Sequence, residues 1–456
     1  MDPQFFFWAT LCGTLAAVVI FNRSWLSGVK RNVLSHPFEV FTYIYFVAVP
    51  AVNVIYDDYV NRALFYSDPV EALGYLNLLN AAGLLAAAVA ARWGKPSSGT
   101  EAREWPRIEH MQALLAGALV TSLVLGVYNN FIALNLRASS DAAIESGIGL
   151  YALIESAPTL LAWLIVVSVW KQGRQPSTGA AVMLLALFLF VAVGMNFSRG
   201  SRVTVLLIVI LGFQLFQQHV YRLSKLKVLA LVLVGALVFN LMTIYKHSGL
   251  EGVSSYLAGE GVATYVDERY TNPVRIIIGD IGRADLQAAI LEADREDQLP
   301  RAYGRTYVKA LTLPLPDALD PLPYDWNKTV VGALAQFEID PGAVLTADNE
   351  AGIASSRIYG LVGEALLNFG IVGAIVAFVL LGLVARWSIL YANGPGGWER
   401  ALIAPVVSVL PILVLFYDLD NIIFRLIMIL ALPGLLLLLN RALQDREAGE
   451  QPATVR

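Results

Sequence analysis

Charge and cysteine are the two things this chain has little of. Of its 456 residues only 15% are charged, while 57% are hydrophobic. A soluble chain carries roughly 25% charged residues, so this one has more apolar surface than soluble cores can hide, and the excess has to face lipid. Cys12 is the single cysteine, which excludes an intramolecular disulfide and a thiolate metal cluster. The net charge of -4 gives no reason to expect nucleic acid as a partner. No Walker sequence, GxSxG elbow or HExxH occurs. Of the four histidines only His247 is expected on the outer side, so no zinc site and no other metal centre is expected. Mean hydropathy is +0.61.

Long apolar runs are present instead. About eleven are long enough to cross a bilayer as helices, centred near residues 13, 46, 81, 119, 159, 187, 212, 236, 374, 408 and 431. The first, from Phe5 to Phe21, lacks a preceding basic flank and a small-residue cleavage pattern, and reads as a retained span. The expectation is an all-α polytopic membrane protein. Spans one to eight would occupy residues 1–247, a long connection 248–356, spans nine to eleven 357–443, and a tail 444–456.

One set of alternate connections is rich in Lys and Arg, from Arg23, Lys30 and Arg31 through Arg222, Lys225 and Lys227 to Arg386, Arg400 and the tail. The other short connections hold only Arg62, Arg137, Arg199 and Arg202. Basic loops stay cytoplasmic, which places the N-terminus outside, the C-terminus inside and the long connection outside. Within that connection, residues 282–298 set Ala284, Ala288 and Leu291 at helical spacing among acidic residues, as in a surface helix. Pro314 to Pro323 reads as loop or extended chain. The connection is expected to lie over the outer mouth of the bundle.

Ionisable residues within spans are costly and usually face protein or a wet cavity. Glu71, Glu155, Glu364 and Arg425, with Asn196, Asn240, Asn368 and Lys246, all fall toward the outer ends of their helices. That bias suits a hydrophilic cavity opening outward; the bland alternative is snorkelling to the interface. On the ninth span Arg357, Gly360, Glu364 and Asn368 share one helical stripe, suiting a ligand, or else close helix packing through Gly360, Gly363 and Gly373. In the turn NFSRGSR, Arg199 and Arg202 sit against the charge bias at the start of span seven, where a helix N-terminus and two guanidinium groups suit a phosphate. Headgroup pairing is the alternative. Asp57, Asp58, Asp418 and Asp420 read as ordinary acidic loop ends rather than a cation site.

Three segments carry a family likeness: SRGSR at 198–202, GRTYVKALTLPLPDALDP at 304–321 and GEALLNFGIVG at 363–373. With the many spans and the late outer loop, the chain resembles the Wzy-type O-antigen polymerases of bacteria. The resemblance implies a GT-C-like glycosyltransferase in the inner membrane, without cofactor or metal. Its donor and acceptor would be glycans linked to undecaprenyl pyrophosphate, and a chain-length regulator protein is a further implied partner. Matched position by position, Arg199 and Arg202 correspond to outer-loop arginines, Glu364 and Asn368 to the GE…NFG motif, and Arg305 to a loop position. The chemistry needs cations on the leaving pyrophosphate, supplied by Arg199 and Arg202 with Arg357 or Arg425. It also needs a base, for which Glu364 comes first and His247 second. Glu155 completes the expected binding set. An O-antigen ligase, a lipid-linked oligosaccharide transporter and a non-catalytic scaffold are the competing readings.

Overall fold

The computed structural model describes residues 1–28, 37–57, 59, 64–65, 67–93, 108–136, 153–197, 202–259, 282–299, 301–315, 319–323, 326–328, 330–332, 358–394 and 397–450. Among these residues every regular element is a helix. In chain order they are α1 Pro3–Trp25, α2 Pro37–Tyr56, α3 Pro69–Ala90, α4 Ile108–Leu136, α5 Leu153–Gln172, α6 Thr178–Phe197 and α7 Arg202–Leu215. There follow α8 Lys225–Ala258, α9 Ala284–Arg295, α10 Arg305–Thr312, α11 Gly360–Asn393, α12 Trp398–Phe416 and α13 Leu419–Glu450.

Nine of these are long and apolar enough to cross a membrane, and the chain is a polytopic membrane protein. The two remaining expected centres, 212 and 236, fall in the shorter apolar stretches Val205–Val220 and Leu226–Met242. The second of these continues to Ala258 through a break at Gly249, whose φ of 65° and ψ of -163° only glycine adopts readily. The chain turns back there, because Asn240 Nδ2 donates to the Tyr256 hydroxyl at 3.1 Å.

Two compact units divide the chain. The first comprises Met1–Gly99, Ile277–Gly394 and Val406–Phe424. In it α3 packs against α1, α9 and α11. Glycine allows close approach of the backbones: a Cβ on Gly382 of α11 would stand 2.3 Å from the backbone oxygen of Ala87 on α3. Helix starts are capped locally, by Asp2 on the Gln4 N–H and Asp68 on the Val70 N–H. At the other end of α1, Arg386 Nη1 donates to the carbonyls of Trp25 and Ser27, where a cation also suits the helix dipole. The second unit comprises Thr100–Ile276, Pro395–Pro405 and Arg425–Arg456. Its core gathers Trp163, Phe188, Met195 and their neighbours.

The expected surface helix at 282–298 is corrected by the structure. Helix α9 forms, but every residue from Ala284 to Ala293 is buried, Asp285 and Glu292 included. It packs on α3 and α11 within the first unit. Acidic residues among the apolar ones suggest a surface helix, whereas packing on elements distant in sequence buries it.

Because the Gly382 contact is with rigid backbone, Gly382→Ala should destabilise the protein by about 1–3 kcal/mol. Gly434 has open space around it, so Gly434→Ala should be neutral or stabilising by about 0.5–1 kcal/mol. Melting of both variants in detergent checks this; equal melting points would contradict the packing.

Candidate functional site

Helix α11 is not continuous. Gly370, the glycine of NFG, has φ 66° and ψ -155°, a region that is essentially glycine-only. The break leaves the carbonyls just before it without helical donors. Within a membrane such groups must find partners in protein, and the segment before α10 supplies them. Arg301 Nη1 donates to Leu366 O at 3.3 Å, the Ala302 N–H to Leu367 O at 3.0 Å and the Tyr303 N–H to Asn368 O at 3.1 Å. Beyond the break, the Ile371 N–H donates to the Asp294 carboxylate, which also pairs with Arg301. A Cβ on Gly370 would collide with the Arg301 guanidinium.

Two side chains of α11 complete the joint. Asn368 is fully buried. Its Oδ1 accepts from the Gly304 N–H at 2.9 Å, and its Nδ2 donates to Thr306 Oγ1 at 2.7 Å and to Glu364 O at 2.8 Å. Glu364 is 3% exposed. Its Oε1 accepts from Thr306 Oγ1 at 3.0 Å and its Oε2 from the Leu419 N–H at 2.8 Å, at the start of α13. So two of the family-like segments, GRTY and GE…NFG, are one hydrogen-bonded assembly. Asn368 holds both Tyr303 and Gly304, and those two residues take left-handed φ values of 50° and 84°.

A buried ion pair lies next to it. Asp418 Oδ1 accepts from the N–H groups of Tyr359 at 2.9 Å and Gly360 at 2.8 Å, capping α11, and Oδ2 accepts from Lys328 Nζ at 2.7 Å. Two amide donors and an ammonium are the surroundings of an ionised carboxylate. Burial works against the Lys328 ammonium, but Asp418 and Asp420 outweigh it and its pKa lies above the ordinary value. Gly360 has φ +68°, and a Cβ there would crowd the Tyr45 hydroxyl, Gln287 and Leu415 O. Gln287 of α9 ties these together, donating to the Tyr45 hydroxyl and to Tyr359 O, both at 2.9 Å.

Toward the surface, Arg305 is exposed with its guanidinium 5.8 Å from the Trp326 ring centroid. Lys309 Nζ donates to Asp320 Oδ2 at 2.6 Å and to Leu322 O. The Lys309 and Leu322 bonds, with one from Thr312, hold the Asp320 carboxyl below the usual range. The clasp contributes above the ordinary carboxylate value of about 3.9 and is lost only as pH falls through the lower folded value.

Of the residues expected from sequence, Glu364 and Asn368 are brought together with the Arg305 segment. In the second unit Glu155 and Arg425 face each other, Oε2 to Nη1 at 3.9 Å. Arg202 opens α7 and His247 lies within α8. Arg199 and Arg357 lie outside the described residues. Lys328, Thr306 and Gln287 carry the joint and escaped sequence reasoning, since nothing in local spacing pairs residue 306 with 364 or 328 with 418. Among the described residues no group of three or more His, Cys, Asp or Glu is disposed to hold a metal ion.

No protein-family model, curated protein or solved structure matches the chain.

The Lys328–Asp418 pair gives a direct test. Lys328→Met and Asp418→Asn should each destabilise by about 3–5 kcal/mol, because each leaves a buried group uncompensated, and the double variant should recover part of that loss. Strict additivity of the two melting shifts would contradict the pairing.

Proposed function

We propose that the protein is a glycosyltransferase that polymerises lipid-linked oligosaccharide repeat units on the non-cytoplasmic face of the membrane. The observation that carries this reading is the physical union of GRTY with GE…NFG through Asn368, Thr306 and Glu364. Segments that carry a family likeness are expected to meet if they serve one site. The union also leaves Arg305 displayed beside Trp326, a pairing suited to a sugar phosphate. From the break at Gly370 to Arg386, α11 runs about 24 Å at 1.5 Å per residue, most of the thickness of a hydrocarbon core. If Arg386 marks the cytoplasmic end, as the basic connections imply, the joint belongs at the opposite face.

In this reading the acceptor hydroxyl oxygen bonds to the anomeric carbon of the donor sugar. The bond from that carbon to the pyrophosphate oxygen breaks, and the pyrophosphate leaves with the electron pair. Arg305 stabilises the charge that develops on it. Both Glu364 oxygens accept hydrogen bonds within the protein, which supports a positioning role for Glu364 in place of the base first expected. The acceptor's hydroxyl proton passes to the leaving pyrophosphate oxygens or to water.

A transporter is the second reading. The breaks at Gly370 and Gly249 favour it, because transporters build sites from discontinuous helices. At Gly370, however, the freed carbonyls are taken by Arg301, Ala302 and Tyr303, which leaves less for a cargo ion or headgroup.

The test is a reconstituted assay with a purified lipid-linked repeat unit. Polymer should form, and Arg305→Ala should slow it by roughly 10–150-fold, the worth of one charged hydrogen bond of about 1.5–3 kcal/mol. Arg305→Lys should not restore a bidentate contact. Glu364→Gln should keep the wild-type pH profile, whereas a loss of 1000-fold or more (on the order of general-base catalysis) with a flattened profile would return the base role to Glu364. No polymer from wild-type protein would sink the enzyme reading. Cells lacking the protein should carry lipopolysaccharide capped by one repeat; none at all would point to a ligase.

A further inference from the structure

Helix α10 has two faces of opposite habit. Thr306 and Ala310, one turn apart, are buried against the joint. Val308, Leu311 and Leu315, spaced three and four apart, point away from the protein and are 46%, 66% and 43% exposed. Leu319 follows at 67%. Single exposed apolar residues need no explanation, but two on α10 followed by two more in the chain just beyond it do.

The stripe adjoins the exposed apolar face of a spanning helix. Phe369, Val372, Val376 and Leu380 of the spanning helix α11 are all exposed, Val372 at 75%. The Tyr307 ring stacks on Phe369 with centroids 6.2 Å apart, and Gly304 lies against the same ring. A helix whose outward face is apolar and whose start carries exposed Arg305 and Tyr303 matches a segment lying in the bilayer interface. There the apolar face sits among acyl chains while aromatic and basic groups reach the headgroups.

We propose that α10 and the residues flanking it form an interfacial membrane anchor, with α10 lying in the plane of one leaflet and Val308, Leu311, Leu315 and Leu319 in contact with bilayer lipid. The inference rests on the spanning helix and its exposed stripe, not on glycosyl transfer. Its consequence is that Arg305 and the joint stand at headgroup level, where the polar end of a membrane-borne substrate is found. The Asn368 clamp then holds an interfacial helix to a transmembrane one at a set depth.

The test uses Cys12→Ser protein in nanodiscs of phosphatidylethanolamine and phosphatidylglycerol, with nitroxides placed one at a time at 308, 311, 315 and 319 and at 376 as the lipid reference. At the α10 positions collisions with oxygen should exceed those with an aqueous nickel chelate, as at 376. Greater access to nickel than to oxygen would overturn the proposal in favour of a water-exposed helix. Access to neither would overturn it in favour of a protein partner. Glycosyl transfer is not read in this experiment, so it fails or succeeds independently of the enzyme assay.

Discussion

Everything near the proposed site depends on the broken helix at Gly370. An interrupted transmembrane helix strands carbonyls in a region without water, each costing several kcal/mol unless matched. Here the matching comes from a segment more than sixty positions earlier, through Arg301, Ala302 and Tyr303. The break and the loop therefore require one another. Without residues 301–303 the break would be too costly, and without the break the loop would have nothing to bind. Asn368 adds side-chain bonds to the same joint and uses both of its amide hydrogens doing so.

Charge is handled by the same logic. The first unit buries Asp294, Glu364, Lys328 and Asp418, and each meets a partner of fixed geometry. Two of the carboxylates also cap helices: Asp418 at the start of α11 and Glu364 at the Leu419 N–H. Backbone dipoles there favour negative charge. What looks like a costly set of buried charges is a means of holding helix ends in register. It leaves Arg305 exposed at the surface, backed by a framework that cannot shift without breaking buried bonds.

The spanning helices were legible because a bilayer demands a long apolar run, and such a run is visible without knowing its neighbours. Glu364 and Asn368 were legible as an oddity, a carboxylate and an amide on one stripe of a span. Their partners were not. The periodicity of GEALLNFGIVG is that of an unbroken helix, so the break at Gly370 leaves no trace in spacing, although glycine alone tolerates it. Helix α9 hides its burial from the sequence for a related reason. Asp285, Glu292 and Asp294 read as solvent-facing, and only contacts with elements far along the chain reveal a buried segment. Sequence marks which groups are expensive to bury; it does not say which distant groups make the burial possible.

Hydrogen exchange of the full-length protein in nanodiscs, resolved over residues 301–307, tests the joint most directly. The amides of Ala302, Tyr303 and Gly304 should exchange as slowly as those of the spanning helices, and Asn368→Ala should release Gly304 first. Exchange of these three amides at the rate of an open loop in the wild-type protein would contradict the joint and, with it, the site built upon it.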